Sequence, residues 1–137
     1  MSTVIRPEIT KKSKYYISKE RYYELKHFCL QYKEWEESYN DILSIRSAQI
    51  DSMPKGNNIS NPTERAGVEA VKYSRLMQIV KNACRDTAED LETYIFMAVT
   101  EGRTYEYLRT VKSIPCCRDA FYDLYRRFFY ILDRMRD

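Results

Sequence analysis

Glycine and proline are scarce in this chain, 3 and 4 in 137 residues. Their lack removes most of the punctuation that β-hairpins and Greek keys require, so the expected fold is all-α. Histidine occurs once, as His27, and no two cysteines stand at C-x-x-C spacing. A zinc site is therefore not expected, nor any other metal or cofactor. No apolar run resembles a signal peptide or a membrane span, which argues against membrane insertion. Cys29, Cys84, Cys116 and Cys117 are enough for bridges, but the last two are adjacent and nothing else looks secreted. They are read as reduced thiols in a cytoplasmic protein. A glycine-rich phosphate loop and a nucleophile elbow are also missing. His27 and Cys29 stand two apart on a helix and face different ways, so they make no nucleophilic pair, and no enzymatic activity is expected.

A strong charge of one sign is absent as well. The net charge of +3 is too small to imply nucleic acid by itself. Its distribution says slightly more. Glu34, Glu36, Glu37 and Asp41 form an acidic block, whereas residues 103–136 hold eight Arg/Lys against the four acids Glu106, Asp119, Asp123 and Asp133. What the chain has in plenty is tyrosine, 13 residues beside 5 Phe and 1 Trp. Tyrosine buries a ring and keeps a polar tip, which suits helix interfaces and half-wet surfaces.

Residues 1–17 carry Pro7 and the basic run "KKSK" without helical periodicity, and read as a flexible arm. Ser18 is placed to cap a helix over residues 18–45. Its apolar residues Leu25, Phe28, Tyr32, Trp35, Tyr39 and Ile42 step by three and four, a heptad seam. Residues 46–62 hold Pro54, Gly56 and Pro62 and read as a polar loop. Asn61 then caps a helix over 62–84, with Pro62 first and Glu64 at a capping-box position. Its apolar set is Val68, Val71, Leu76, Ile79, Val80 and Ala83. The two helices are expected to form a long antiparallel hairpin, residues 18–84, serving interaction or oligomerisation. Leu25, Phe28, Tyr32, Trp35 and Tyr39 are its expected interface, and a homodimer is the expected state.

From residue 87 the pattern shortens. Thr87 with Asp90 marks the start of a helix ended by Gly102, and Thr104 caps the next, "YEYLRTV". "KSIP" breaks it, and residues 116–135 form the last helix, with Phe121, Leu124, Phe128, Ile131, Leu132 and Met135 on one side. Five helices and no sheet result. The last three fit a helix-turn-helix unit over residues 87–137, with Tyr107, Leu108 and Val111 turned to a core, Ile114 plugging the turn and Pro115 starting the last helix. Removing the buried set leaves Arg118, Tyr122, Tyr125 and Arg126 as candidate base-reading residues. Arg109, Lys112 and Arg127 are left as candidate phosphate contacts.

The stretch "IFMAVTEGRTYEYLRTVKSIPCCRDAFYDLYRRFFYIL" resembles the C-terminal helix-turn-helix of phage late-transcription regulators of the RinA and ArpU type, themselves similar to the fourth region of bacterial sigma factors. Gly102, Thr104, Tyr105, Ile114, Pro115, Phe121, Tyr122, Arg126 and Arg127 carry the likeness, over roughly a third of the chain. The likeness implies a phage protein acting in a bacterial host and binding double-stranded DNA near promoters or packaging genes, with RNA polymerase as a candidate neighbour. Two features depart from the pattern. Asp119 and Asp123 stand on the last helix, where each repels phosphate unless paired with an arginine. Cys116 and Cys117 occupy the place of a capping serine or threonine. The alternative is a phage protein-interaction inhibitor, directed at RNA polymerase or a host defence nuclease in the manner of an anti-CRISPR, with the helix-turn-helix as scaffold.

Overall fold

The structure, a computed structural model, describes the backbone of residues 14–52 and 61–136, and the side chains of 14–45 and 64–136. These residues are helical throughout, with no strand among them: α1 (Lys19–Leu30), α2 (Tyr32–Ser52), α3 (Asn61–Thr87), a 3-10 turn (Glu89–Leu91), α4 (Glu92–Glu101), α5 (Tyr105–Lys112) and α6 (Arg118–Met135). The all-α expectation is met. Among the described residues no helix is long and apolar enough to cross a membrane.

The first departure is at Gln31. The expected unbroken helix over 18–45 is two helices, because the Gln31 N–H turns back to the Phe28 carbonyl at 3.3 Å, an i to i−3 bond that tightens the last turn of α1. The Gln31 amide also donates to the His27 carbonyl at 3.3 Å. The chain divides into two compact units at this point and again after Gln78. One contains residues 14–31 and 79–136, the other residues 32–52 and 61–78. The division differs from the expected boundary near residues 84–87.

In the first unit, Ser18 caps α1 as expected, its side chain accepting from the Arg21 N–H at 3.2 Å. Tyr22, Leu25, Phe28 and Cys29 then point inward, and α1 packs on α4 and α6. The Tyr22 ring meets Phe129 at 5.0 Å, and the Tyr22 and Tyr125 hydroxyls share a hydrogen bond of 3.0 Å. The Arg21 guanidinium reaches Asp133 at 2.5 Å, and the Arg136 guanidinium covers Phe28 at 4.0 Å. Residues 1–13 of the expected arm lie outside the described residues. Its last part is packed: Ile17 is buried and Tyr15 meets Tyr130 at 5.7 Å.

In the second unit, the seam of α2 runs as spaced. Tyr32 and Trp35 are buried, with rings 6.2 Å apart, and Tyr39 and Ile42 are half-buried. Residues 46–52, expected as loop, continue α2; residues 53–60 of that loop lie outside the described residues. On α3 the expected apolar set is corrected. Val68 and Val71 are 70% and 57% exposed, and the inward residues are Ala70 and Met77, followed by Val80, Ala83, Cys84 and Thr87 in the first unit. Thr87 does not start a helix. It closes α3, donating its hydroxyl to the Ala83 carbonyl at 2.7 Å, and Ala88 takes the cap position of the 3-10 turn.

Candidate nucleic-acid interface

The region that the sequence singles out is built on α4, α5 and α6. Gly102 ends α4 with φ 69° and ψ 26°, a left-handed conformation that glycine adopts without penalty. Thr104 starts α5, its hydroxyl accepting from the Tyr107 N–H at 3.2 Å. At the far end Ser113 also turns left-handed, with φ 54° and ψ 48°. The Ile114 N–H then reaches back to the Leu108 carbonyl at 3.0 Å, six residues earlier, which closes the end of α5 on a left-handed turn. Ile114 and Leu108 sit together in a cluster with Ala98, Tyr105, Phe121 and Tyr122, so the turn is held by an apolar contact as well. The Tyr105 hydroxyl fastens the connection from the other side, donating to the Cys116 carbonyl at 2.7 Å.

Two expectations within this frame need correction. Val111 is 57% exposed rather than turned to the core, because a three-residue step rotates by about 60° and carries it past Leu108, away from Tyr105. Tyr105 is buried in its place. The last helix begins at Arg118, with Pro115 and Cys116 in a bend before it, so Pro115 does not open α6. Cys117 occupies its cap position without a side-chain hydrogen bond, as expected of a thiol standing where serine or threonine would cap.

The candidate base-reading residues separate into two kinds. Arg118 is exposed at the head of α6, its guanidinium 5.4 Å from the centre of the Tyr122 ring. Arg126 is half-buried. Tyr122 is buried instead of outward, with its ring against Phe121 at 5.4 Å and Tyr105 at 6.3 Å. Burial pushes its phenol above the ordinary value, Glu106 acts in the same direction, and the Arg118 charge partly opposes them. Tyr125 is likewise held inside, bonded to Tyr22 and packed on Phe129 at 4.9 Å, and burial raises its phenol well above the ordinary value. Neither tyrosine is free to meet a base. Arg118, Tyr122 and Tyr125 stand four and three residues apart, on one side of the helix, so Arg118 covers the end of the aromatic stripe.

The candidate phosphate contacts Arg109, Lys112 and Arg127 are all exposed. Arg103, which the sequence reading did not single out, is exposed too, but its guanidinium lies 4.2 Å over the Tyr107 ring and 3.2 Å from Glu101. Asp119 and Asp123 are exposed, and among the described residues neither has an ion pair. The N-terminal half of α6 therefore offers solvent one arginine at its tip and two carboxylates along its outer side.

The expected interface residues are occupied within the chain. Leu25 and Phe28, in the first unit, and Tyr32 and Trp35, in the second, are buried, and Tyr39 is half-buried. Elsewhere, His27 is exposed and Cys29 fully buried, and burial raises that thiol well above its ordinary value. No family model matches the chain, and no curated protein or solved structure is found to be similar to it.

Proposed function

We propose that this chain is a phage-type DNA-binding transcription regulator in which α5, the connection 113–117 and α6 act as a sigma-like helix-turn-helix. In this reading the unit of α2 and the first part of α3, residues 32–52 and 61–78, carries oligomerisation or effector contacts, and RNA polymerase is a candidate neighbour on DNA. The observation that carries the proposal is the left-handed turn at Ser113, closed by the Ile114 N–H on the Leu108 carbonyl, which ends α5 sharply and leaves Arg118 exposed at the head of α6. A helix-turn-helix contacts base edges from the N-terminal residues of its second helix. Arg109, Lys112 and Arg127 supply positive charge for phosphate. Tyr122 and Tyr125 have no part in reading, and the Tyr122 ring serves as the floor beneath Arg118.

Three such cations, each neutralising one phosphate, imply a slope of about −3 in log K against log salt. The test is anisotropy of labelled duplexes from the genome that encodes the protein, across a salt series, with wild type beside Arg118→Ala and Arg127→Ala. Arg118→Ala should flatten selectivity between duplexes, and Arg127→Ala should weaken all duplexes alike and reduce the slope by about one. Binding that never exceeds nonspecific background, even at low salt, refutes the reading. The exposed carboxylates of Asp119 and Asp123 favour a second one, an inhibitor that grips a protein with this face. In that case Asp119→Ala and Asp123→Ala weaken capture of a basic protein target while duplex binding stays at background.

A further inference from the structure

Helix α3 carries two heptad-spaced stripes on opposite sides. The first, Ala66, Ala70, Tyr73, Met77, Val80, Cys84 and Thr87, steps four, three, four, three, four, three, and each member is buried or half-buried. The second, Glu64, Val68, Val71 and Arg75, steps four, three, four, and every member is exposed. Val68 and Val71 are the largest apolar exposures among the described residues of this helix, at 70% and 57%. A β-branched residue is a weaker helix former than lysine, glutamate or alanine, so two valines on a solvent-facing stripe bring no local benefit. The charges at the two ends of the stripe are opposite.

We propose that this stripe is an antiparallel, two-fold symmetric interface with a second copy of the chain. A two-fold axis between Val68 and Val71 sets Val68 against Val71 of the second copy and Glu64 against Arg75 of the second copy. The axis then repeats both pairs in reverse, as an isologous contact requires. The spacing makes these the alternating layers of an antiparallel coiled coil. A parallel pairing would set Glu64 against Glu64 and Arg75 against Arg75, so charge selects the direction. Arg65 and Lys72, like-charged, fall at the rim of the antiparallel pairing, where solvent screens them. With two apolar layers the contact is small, and its dissociation constant is expected on the order of 10–100 µM.

The measurement is sedimentation of the full chain from about 1 to about 500 µM, a range that brackets that constant. Wild type should pass from monomer to dimer. Val68→Lys should remain monomeric with an unchanged melting temperature, since the introduced ammonium can pair with Glu64 one turn back on its own helix. Glu64→Arg alone and Arg75→Glu alone should each weaken association about tenfold, and the exchange of both together should restore it. A wild type that stays monomeric throughout overturns the proposal. So does a dimer indifferent to Val68→Lys, or a Val68→Lys variant that loses thermal stability as a core substitution would, which would mean the stripe is covered by the chain itself. Failure of the double exchange to restore association refutes the antiparallel register.

Discussion

The hydroxyl pair Tyr22–Tyr125 joins α1 to α6 beneath the helix that bears Arg118, and its contribution can be isolated. The two oxygens are 3.0 Å apart, Tyr22 is 1% exposed, and both rings pack on Phe129, at 5.0 and 4.9 Å. A neutral hydrogen bond contributes about 1 kcal/mol net, but orphaning one buried partner costs about 1–3 kcal/mol. Tyr22→Phe and Tyr125→Phe each remove one side of this hydrogen bond from a buried setting, so each single change should cost about 1.5 kcal/mol. Removing both hydroxyls keeps the ring packing and leaves neither member of the pair orphaned, so the double variant should cost less than about 1 kcal/mol. The double-mutant cycle then yields a coupling of about 2 kcal/mol. Urea denaturation followed by helical circular dichroism measures all four proteins, with a common slope confirming that the unfolded states are alike. If the double variant loses the sum of the two singles, the hydroxyls are uncoupled and contribute nothing as a pair to holding α1 on α6.

Two further outcomes follow from the backbone and from the buried thiols. Ser113→Gly should raise stability by about 0.5–1 kcal/mol, because a side chain at φ 54° is strained where glycine is not, while Ser113→Val should lower it by more than about 1 kcal/mol. Thermal melts that fail to separate the two variants would remove the strain argument. Burial pushes Cys84 from its ordinary value of 9.0 up to about 12 and Cys29 well above its own, so folding holds both protons more tightly than the unfolded chain does. Stability from these groups is intact below pH 9 and declines as pH rises from 9 toward 12, by about 1.4 kcal/mol per unit for each thiol. A Cys29→Ala/Cys84→Ala variant should show a flatter alkaline limb in pH-dependent denaturation; an identical slope would contradict the assignment.

Local chemistry made the helix ends readable from sequence. Ser18, Thr104 and Gly102 act where they stand, because each needs only a neighbouring N–H or a left-handed angle. Thr87 was not readable in the same way. A threonine hydroxyl can accept at a helix start or donate to a carbonyl four residues back, and only the length of α3 decides between them. The break at Gln31 had no signal either, since the seam keeps its spacing across it with neither proline nor glycine nearby. At this point the chain passes from one compact unit to the other, with Phe28 and Cys29 buried before it and Tyr32 and Trp35 buried after it. On α3 the larger side chains misled. Val68 and Val71 are more apolar than Ala66 and Ala70, yet the smaller residues line the stripe that is covered.

The candidate site was legible for its arginines and not for its tyrosines, and the reason is the width of the buried arc of α6. Subtracting one stripe, Phe121, Leu124 and Phe128, assumes a helix covered on one side over about 100°. Here α6 packs on α1 and α4 and shares a cluster with α5, so Tyr122 and Phe129, each one residue beyond that stripe, are buried too. The widened arc leaves Asp119, Asp123 and Arg127 as the outer row and confines Arg118 to the tip. Sequence selectivity, if this helix reads DNA, must then come from the first turn of α6 and the end of α5 rather than from a long groove-filling face. In that reading a side chain placed at Ala120, exposed in the first turn of α6, is where a new base preference would be easiest to introduce.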